Sequence, residues 1–232
     1  MNVLGLTPVE LEAFRLSLWV SGWAVLCSLP PGILVAWILA RLRFPGKSIV
    51  DGLVHLPLVL PPVAIGYLLL VLLGRRGILG GWLHETLGIT FAFNWKGAAL
   101  AAAVMGFPLL VRAVRLSFEG VDQKLEHAAR TLGAGSVRVF FTVTLPLVTP
   151  GIISGLILAF ARSLGEFGAT ITFVSNIRGE TQTLPLALYT LTQVPGGELS
   201  AMRLCLISVS TAMVALVASE LLARRFAVRI RG

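Results

Sequence analysis

A polytopic, all-helical membrane protein with five transmembrane helices is predicted by three features of this 232-residue chain: its composition, the lengths of its apolar runs, and the uneven distribution of its basic residues. Hydrophobic residues make up 56% and charged residues only 13%, with a mean hydropathy of +0.88, whereas a soluble domain carries roughly 25% charged residues. Five apolar runs, 14–40, 53–73, 95–116, 147–174 and 201–222, each reach or exceed the roughly 20 residues that cross hydrocarbon as a helix. Twelve of the 19 Lys and Arg residues fall in the segments of one side and six in those of the other, with Arg162 inside a run. The dense side is expected to be cytoplasmic. With five spans, that puts the N-terminal segment 1–13 outside and the basic tail 223–232 in the cytoplasm.

The elements follow in chain order. Glu10 and Glu12 precede the first run and the first basic residue is Arg15, a charge order unlike that of a cleaved signal, so the first span is expected to be retained. The second run contains Pro57, Pro61 and Pro62. Proline removes a backbone donor and clashes with the preceding turn, so this span must be kinked or locally unwound. Such backbone is tolerated in a bilayer only where protein or water covers it, which makes the three prolines candidates for a path or gate. The third run is diluted by Ala, Gly and Pro108, a composition suited to close helix packing. In the fourth, Arg162 and Glu166 are four residues apart and are expected to meet on one helix face, with Ser163 and Thr170 offering hydroxyls nearby. Ionisable groups at that depth face a protein interior or an aqueous path. The run 184–194 is too short to span and is expected to lie as an external or re-entrant helix. Cys27 and Cys205 fall within spans and read as free, buried thiols.

Between the third and fourth runs lies a polar segment, 121–146, reading VDQKLEHAARTLGAGSVRVFFTVTLP. Val121, Leu125, Ala128, Ala129 and Leu132 recur at helical spacing, with Asp122, Lys124, Glu126, His127 and Arg130 opposite, so one face is expected to bury and the other to pair. Gly133 and Gly135 should stop that helix, Ser136 should cap a second short one through Phe141, and Pro146 should end it.

Several fragments with a catalytic look are discounted. Gly46-Lys47-Ser48 lacks the earlier glycine of a phosphate-binding loop, position 41 being Arg, and Gly151 to Gly155 superficially suggests a nucleophile turn but is one residue too long for an intramembrane serine protease. His55, His84 and His127 sit in separate segments without metal-ligand spacing. No enzyme activity, cofactor or metal site is expected on this chain. The net charge of +8 is spread over juxtamembrane segments and calls for no nucleic-acid partner.

The 121–146 segment resembles the docking loop of ABC importer permeases, whose pattern is EAA, three residues, Gly, nine residues, an aliphatic residue, one residue, then Leu-Pro. Ala128, Ala129, Gly133, Val143, Leu145 and Pro146 match; His127 stands where the family has Glu, and Glu126 lies one place earlier. The chain also resembles, over nearly its whole length, the permease subunits of molybdate importers, in FPGKSIVDGLVHLPLVLPPVAIGYLLLV from Phe44, GITFAFNWKGAALAAAVMGFPLLVRAVR from Gly88 and ARSLGEFGATITFVSN from Ala161. The resemblance implies a type I importer fold in the bacterial inner membrane, spanning 14–222, with helices that couple it to an ATPase. It implies a homodimer, two cytoplasmic ATPase subunits that carry ATP and Mg, a periplasmic molybdate-binding protein, and lipid around the spans. It further implies that Leu125, Glu126, His127, Ala128, Ala129, Arg130, Gly133, Leu145 and Pro146 form the ATPase-docking loop. Permeases for sulfate, thiosulfate or tungstate are the near alternative, because sulfate permeases share LGEFGA and the docking loop. An ion-coupled anion carrier or a channel is the alternative of a different class, and neither would need that loop.

Overall fold

The computed structural model describes residues 7–231, and the side chains of all of these except 219, 220 and 222–231. Residues 1–6 of the expected external segment, and the side chains of the basic tail, lie outside that description. The order of helices is α1 (Pro8–Arg41), α2 (Lys47–Val59), α3 (Pro62–Leu73), α4 (Ile78–Leu87), α5 (Trp95–Gly120), α6 (Gln123–Thr131), α7 (Ser136–Val139), a π-helical turn (Phe140–Thr144), α8 (Leu145–Leu164), α9 (Gly168–Val174), α10 (Leu184–Thr192) and α11 (Glu198–Arg231). Among the described residues no strand occurs. Four helical stretches are long and apolar enough to cross a membrane, and the bent pair α2–α3 makes a fifth when it counts as one span.

α1 begins with a reciprocal cap: the Glu10 carboxylate accepts from the Thr7 N–H at 2.7 Å while the Thr7 hydroxyl accepts from the Glu10 N–H. Two of the donors that every helix start leaves open are thereby satisfied. α5 starts on Asn94, whose side-chain oxygen accepts from the Lys96 and Gly97 N–H groups. Its alanine-rich flank, Ala98, Ala99, Ala101 and Ala102, is buried together with Met105, Leu110, Val111 and Val114. α5 is the hub of the bundle, packed along both α1 and α8, because small side chains let helix backbones approach closely.

The second span is broken as its prolines require. α2 and α3 meet at 114° across Leu60 and Pro61, and Pro62 opens α3, where its missing donor costs nothing. α2 buries none of its residues in this chain. α4 is an element that sequence patterning did not single out.

The fourth span departs from expectation. It is not one helix over 147–174: α8 stops at Leu164, residues 165–167 are non-helical, and α9 resumes at Gly168. Two glycines flanking Glu166 weaken the helix there, and the Glu166 carboxylate supplies what the break removes by accepting the Ala169 N–H at 2.8 Å. α10 is a nine-residue helix that buries Leu184, Leu186 and Ala187 and packs against α1 and α11, far too short to span. Cys27 and Cys205 are free but exposed, not buried as expected. Hydropathy cannot separate the two sides of a membrane helix, since its outward face is as apolar as its inward one.

Candidate functional site

The most distinctive surface is built by α6, α7 and the π turn. Asp122 caps α6 by accepting the Lys124 N–H at 2.9 Å. The helix ends where Gly133 takes the left-handed conformation, φ +85°, and the Ala134 N–H returns to the Ala129 carbonyl. Two expectations for the next helix are corrected. Ser136 is not its cap; Gly135 occupies that place and no side-chain bond closes it. Nor does Pro146 end it, because α7, the π turn and α8 run on as one 29-residue helical stretch, Ser136–Leu164. The wider π turn, in which the Leu145 N–H reaches back to the Phe140 carbonyl, directly precedes Pro146, the kind of local adjustment by which a helix accommodates a residue without a donor.

On α6 the expected pairing is made by Glu126, while the apolar side is not buried within this chain. Glu126 turns toward this chain, while Asp122, Lys124, His127 and Arg130 are exposed: the Arg41 guanidinium at the end of α1 donates to Glu126 Oε1 at 2.8 Å, and the buried Thr144 hydroxyl donates to the same oxygen at 2.9 Å. The apolar side of α6 turns away, leaving Leu125 half exposed and Leu132 88% exposed, beside Val137 at 73% and Phe141 at 61%. His127, Ala128 and Gly133 are exposed, Ala129 is half-buried, and Leu145 and Pro146 lie at the foot of α8. A polar cavity of about 250 Å³ under α6 is lined by Trp37, Arg41, Gln123, Glu126, His127 and Arg130 among others. Large exposed apolar groups clustered in this way make the surface a candidate interaction face.

The residues singled out as path or gate are brought together only in part. The α2–α3 break sits against the α8–α9 break: a Cβ on Gly168 would lie 2.8 Å from Pro62 Cβ, and one on Gly66 would lie 2.5 Å from the Ala169 carbonyl oxygen. Arg162 and Glu166 do meet, Nη1 to Oε2 at 2.7 Å, with side-chain exposures of 27% and 1%. They do so across the break and not along one continuous helix. Thr170 is buried on α9 beside this junction. Ser163 turns elsewhere, donating to the Ala102 carbonyl on α5 at 3.3 Å. Pro61 is exposed, and Pro57 lines a separate apolar cavity of about 500 Å³ with Pro31, Val54 and Phe107.

Sequence reading missed Arg41 and Thr144 as partners of Glu126. Arg41 stood out only as one of the juxtamembrane charges, and the two contacts bridge 85 and 18 positions, distances over which local periodicity carries no signal. Val137 and Phe141 were missed as exposed apolar residues, although their spacing of four along a helix carries that signal.

Known proteins agree with this architecture. Residues 32–231 match the family model described as binding-protein-dependent transport system inner membrane component. The molybdenum transport system permease protein ModB of Escherichia coli (strain K12) is 67% identical over 219 residues, covering 94% of this chain and 96% of the relative. The sulfate transport system permease protein CysT of the same organism is 40% identical over 158 residues, 68% of this chain and 57% of the relative. Among solved structures, a bacterial ABC transporter involved in the import of the acidic polysaccharide alginate shares the fold, with a TM-score of 0.74 at 18% identity over 96% of this chain and 81% of that one. This multi-pass helical chain belongs to the family of binding-protein-dependent transport system inner membrane components.

Proposed function

We propose that this chain is the membrane permease of an ATP-driven molybdate importer, a non-enzymatic subunit that forms the oxyanion path across the inner membrane by alternating access. The observation that carries this reading is the near full-length identity of 67% to a molybdenum permease, against 40% over a shorter stretch to a sulfate permease. The exposed apolar face of α6, α7 and the π turn supports a cytoplasmic ATPase as the docking partner, since a carrier or channel has no use for it. ATP and Mg belong to that partner.

The remaining assignments rest on charge and geometry. The basic-residue asymmetry supports an external N-terminus and a cytoplasmic C-terminus. A path between two copies of the chain suits a bundle whose α2 buries none of its residues within this chain, with a periplasmic binding protein delivering the anion. The junction of the two broken spans, with Arg162, Glu166, Thr170 and Pro62, is the candidate gate. Entry of a dianion against an inside-negative potential costs about 2.3 kcal/mol per charge per 100 mV, doubled for two charges. An energy source is therefore required.

The decisive experiment is uptake of radiolabelled molybdate into proteoliposomes holding this chain, the ATPase and the binding protein. Uptake that requires ATP and is displaced by tungstate before sulfate is expected. ATP-independent uptake would refute the importer reading, and preferential displacement by sulfate would move the substrate to the sulfate class.

A further inference from the structure

We infer that Glu126 is a positioning residue, a latch that delivers movement of the docking helix to two membrane spans at once; this rests on the reading of α6 and α7 as the ATPase-docking element. One carboxylate oxygen, Oε1, accepts two hydrogen bonds from two different spans. Arg41, the last residue of α1, donates at 2.8 Å, and Thr144, the last residue of the π turn at the foot of α8, donates at 2.9 Å. Arg41 and Glu126 are both largely shielded from water, with side-chain exposures of 12% and 15%. Charge-assisted bonds in such a setting are shorter and stronger than neutral ones.

Geometry gives the latch its role. α6 has nine residues, none of them buried in this chain, and is joined to the bundle by Val121 at one end and the Gly133 turn at the other. A load on its exposed apolar side would roll so short a helix about these two ends unless something held its underside. Glu126 is that hold. The neighbouring His127, about 100° further round the helix, is exposed and lines the cavity rim without a hydrogen bond. The π turn contributes by changing the helical phase between α7 and α8: Phe141 faces outward while Thr144, three residues on, is buried against Glu126. The same stretch thus offers an apolar knob to a partner and a hydroxyl to the latch.

The test uses the full complex in proteoliposomes, reading ATP hydrolysed per molybdate transported and the amount of ATPase that co-purifies. Arg41→Gln is expected to keep the ATPase bound, because the outward face is untouched, and in the complexes that assemble Arg41→Gln and Glu126→Gln are each expected to raise the ATP-to-molybdate ratio about tenfold, a common size for coupling between sites. The charge swap Arg41→Glu with Glu126→Arg is expected to bring the ratio most of the way back. Thr144→Val leaves no charge bare, so it remains informative if the charge variants fail to assemble; a smaller rise in the same ratio is expected. A ratio unchanged in the assembled variants would overturn the latch, as would a swap that recovers nothing. Loss of ATPase by Glu126→Gln as complete as that caused by Leu132→Asp would also overturn it, by putting the carboxylate in direct contact with the partner. Failure of Leu132→Asp to weaken ATPase binding would instead refute the docking reading on which the latch rests.

Discussion

Glu166 shows how one buried side chain can serve two purposes. Its Oε1 caps the start of α9 and its Oε2 faces the Arg162 guanidinium across the break, so removing either charge strands the other in a poorly hydrated place. Loss of one partner of a buried pair costs about 3–5 kcal/mol, and Glu166→Gln or Arg162→Gln alone is expected to lower the yield of assembled protein in membranes. The double variant Arg162→Gln with Glu166→Gln removes both charges while the Gln amide oxygen can still cap α9. It is expected to restore assembly, measured by detergent-stable yield, while molybdate uptake stays low; recovery of both would make the pair scaffolding and remove it from the path. Gly133 makes a different demand. Nothing lies within 4 Å of a Cβ built there, so the constraint is its φ of +85° and not space. Gly133→Val is expected to weaken ATPase co-purification and stimulated hydrolysis, at a backbone cost of about 1–2 kcal/mol. Gly133→Asn should retain both, since Asn visits the left-handed region; equal loss in the two variants would refute the backbone explanation.

At the level of elements, the junction of broken spans is held by close backbone approach. α3 and α9 pack through Gly66 and Gly168, and any side chain at Gly66 would press on the Ala169 main chain, which cannot swing aside as a flexible side chain could. Gly66→Ala is expected to lower the detergent melting temperature of the purified chain, consistent with an overpacking cost of about 1–3 kcal/mol. Gly22→Ala on α1, where a Cβ meets nothing within 4 Å, serves as the control and should leave melting unchanged. If the two variants melt alike, the tight α3–α9 contact is not a constraint. The same junction accounts for the corrected fourth span: residues 147–174 are apolar enough on average to read as one run, whereas the helix breaks at 165–167 and the Ala169 N–H bonds to the Glu166 carboxylate.

For the molecule as a whole, counting the bent α2–α3 pair as one span predicts that the two ends of the chain lie in different compartments. Single cysteines at Ser136, at the start of α7, and at Glu198, at the start of α11, are expected to react with an impermeant thiol reagent from opposite sides of the membrane, in a background where Cys27 and Cys205 are replaced. Reaction of both from outside intact cells would refute that topology. Much of the architecture was legible without coordinates because it depends on local quantities. A count of four to five spans follows from run length and hydropathy, the break in the second span from prolines that cannot donate, and the turn after α6 from a glycine where φ must be positive. What tertiary structure alone decided is which side of each element faces inward. A membrane helix is apolar all round, so its composition gave no sign that Cys27 and Cys205 are exposed. A short amphipathic helix can turn one polar residue toward the bundle and leave large apolar ones exposed, as α6 does with Glu126 and Leu125. Its orientation is set by where Arg41 and Thr144 stand in space, because a carboxylate shielded from water is stable only beside donors, and those donors come from spans far away in the chain.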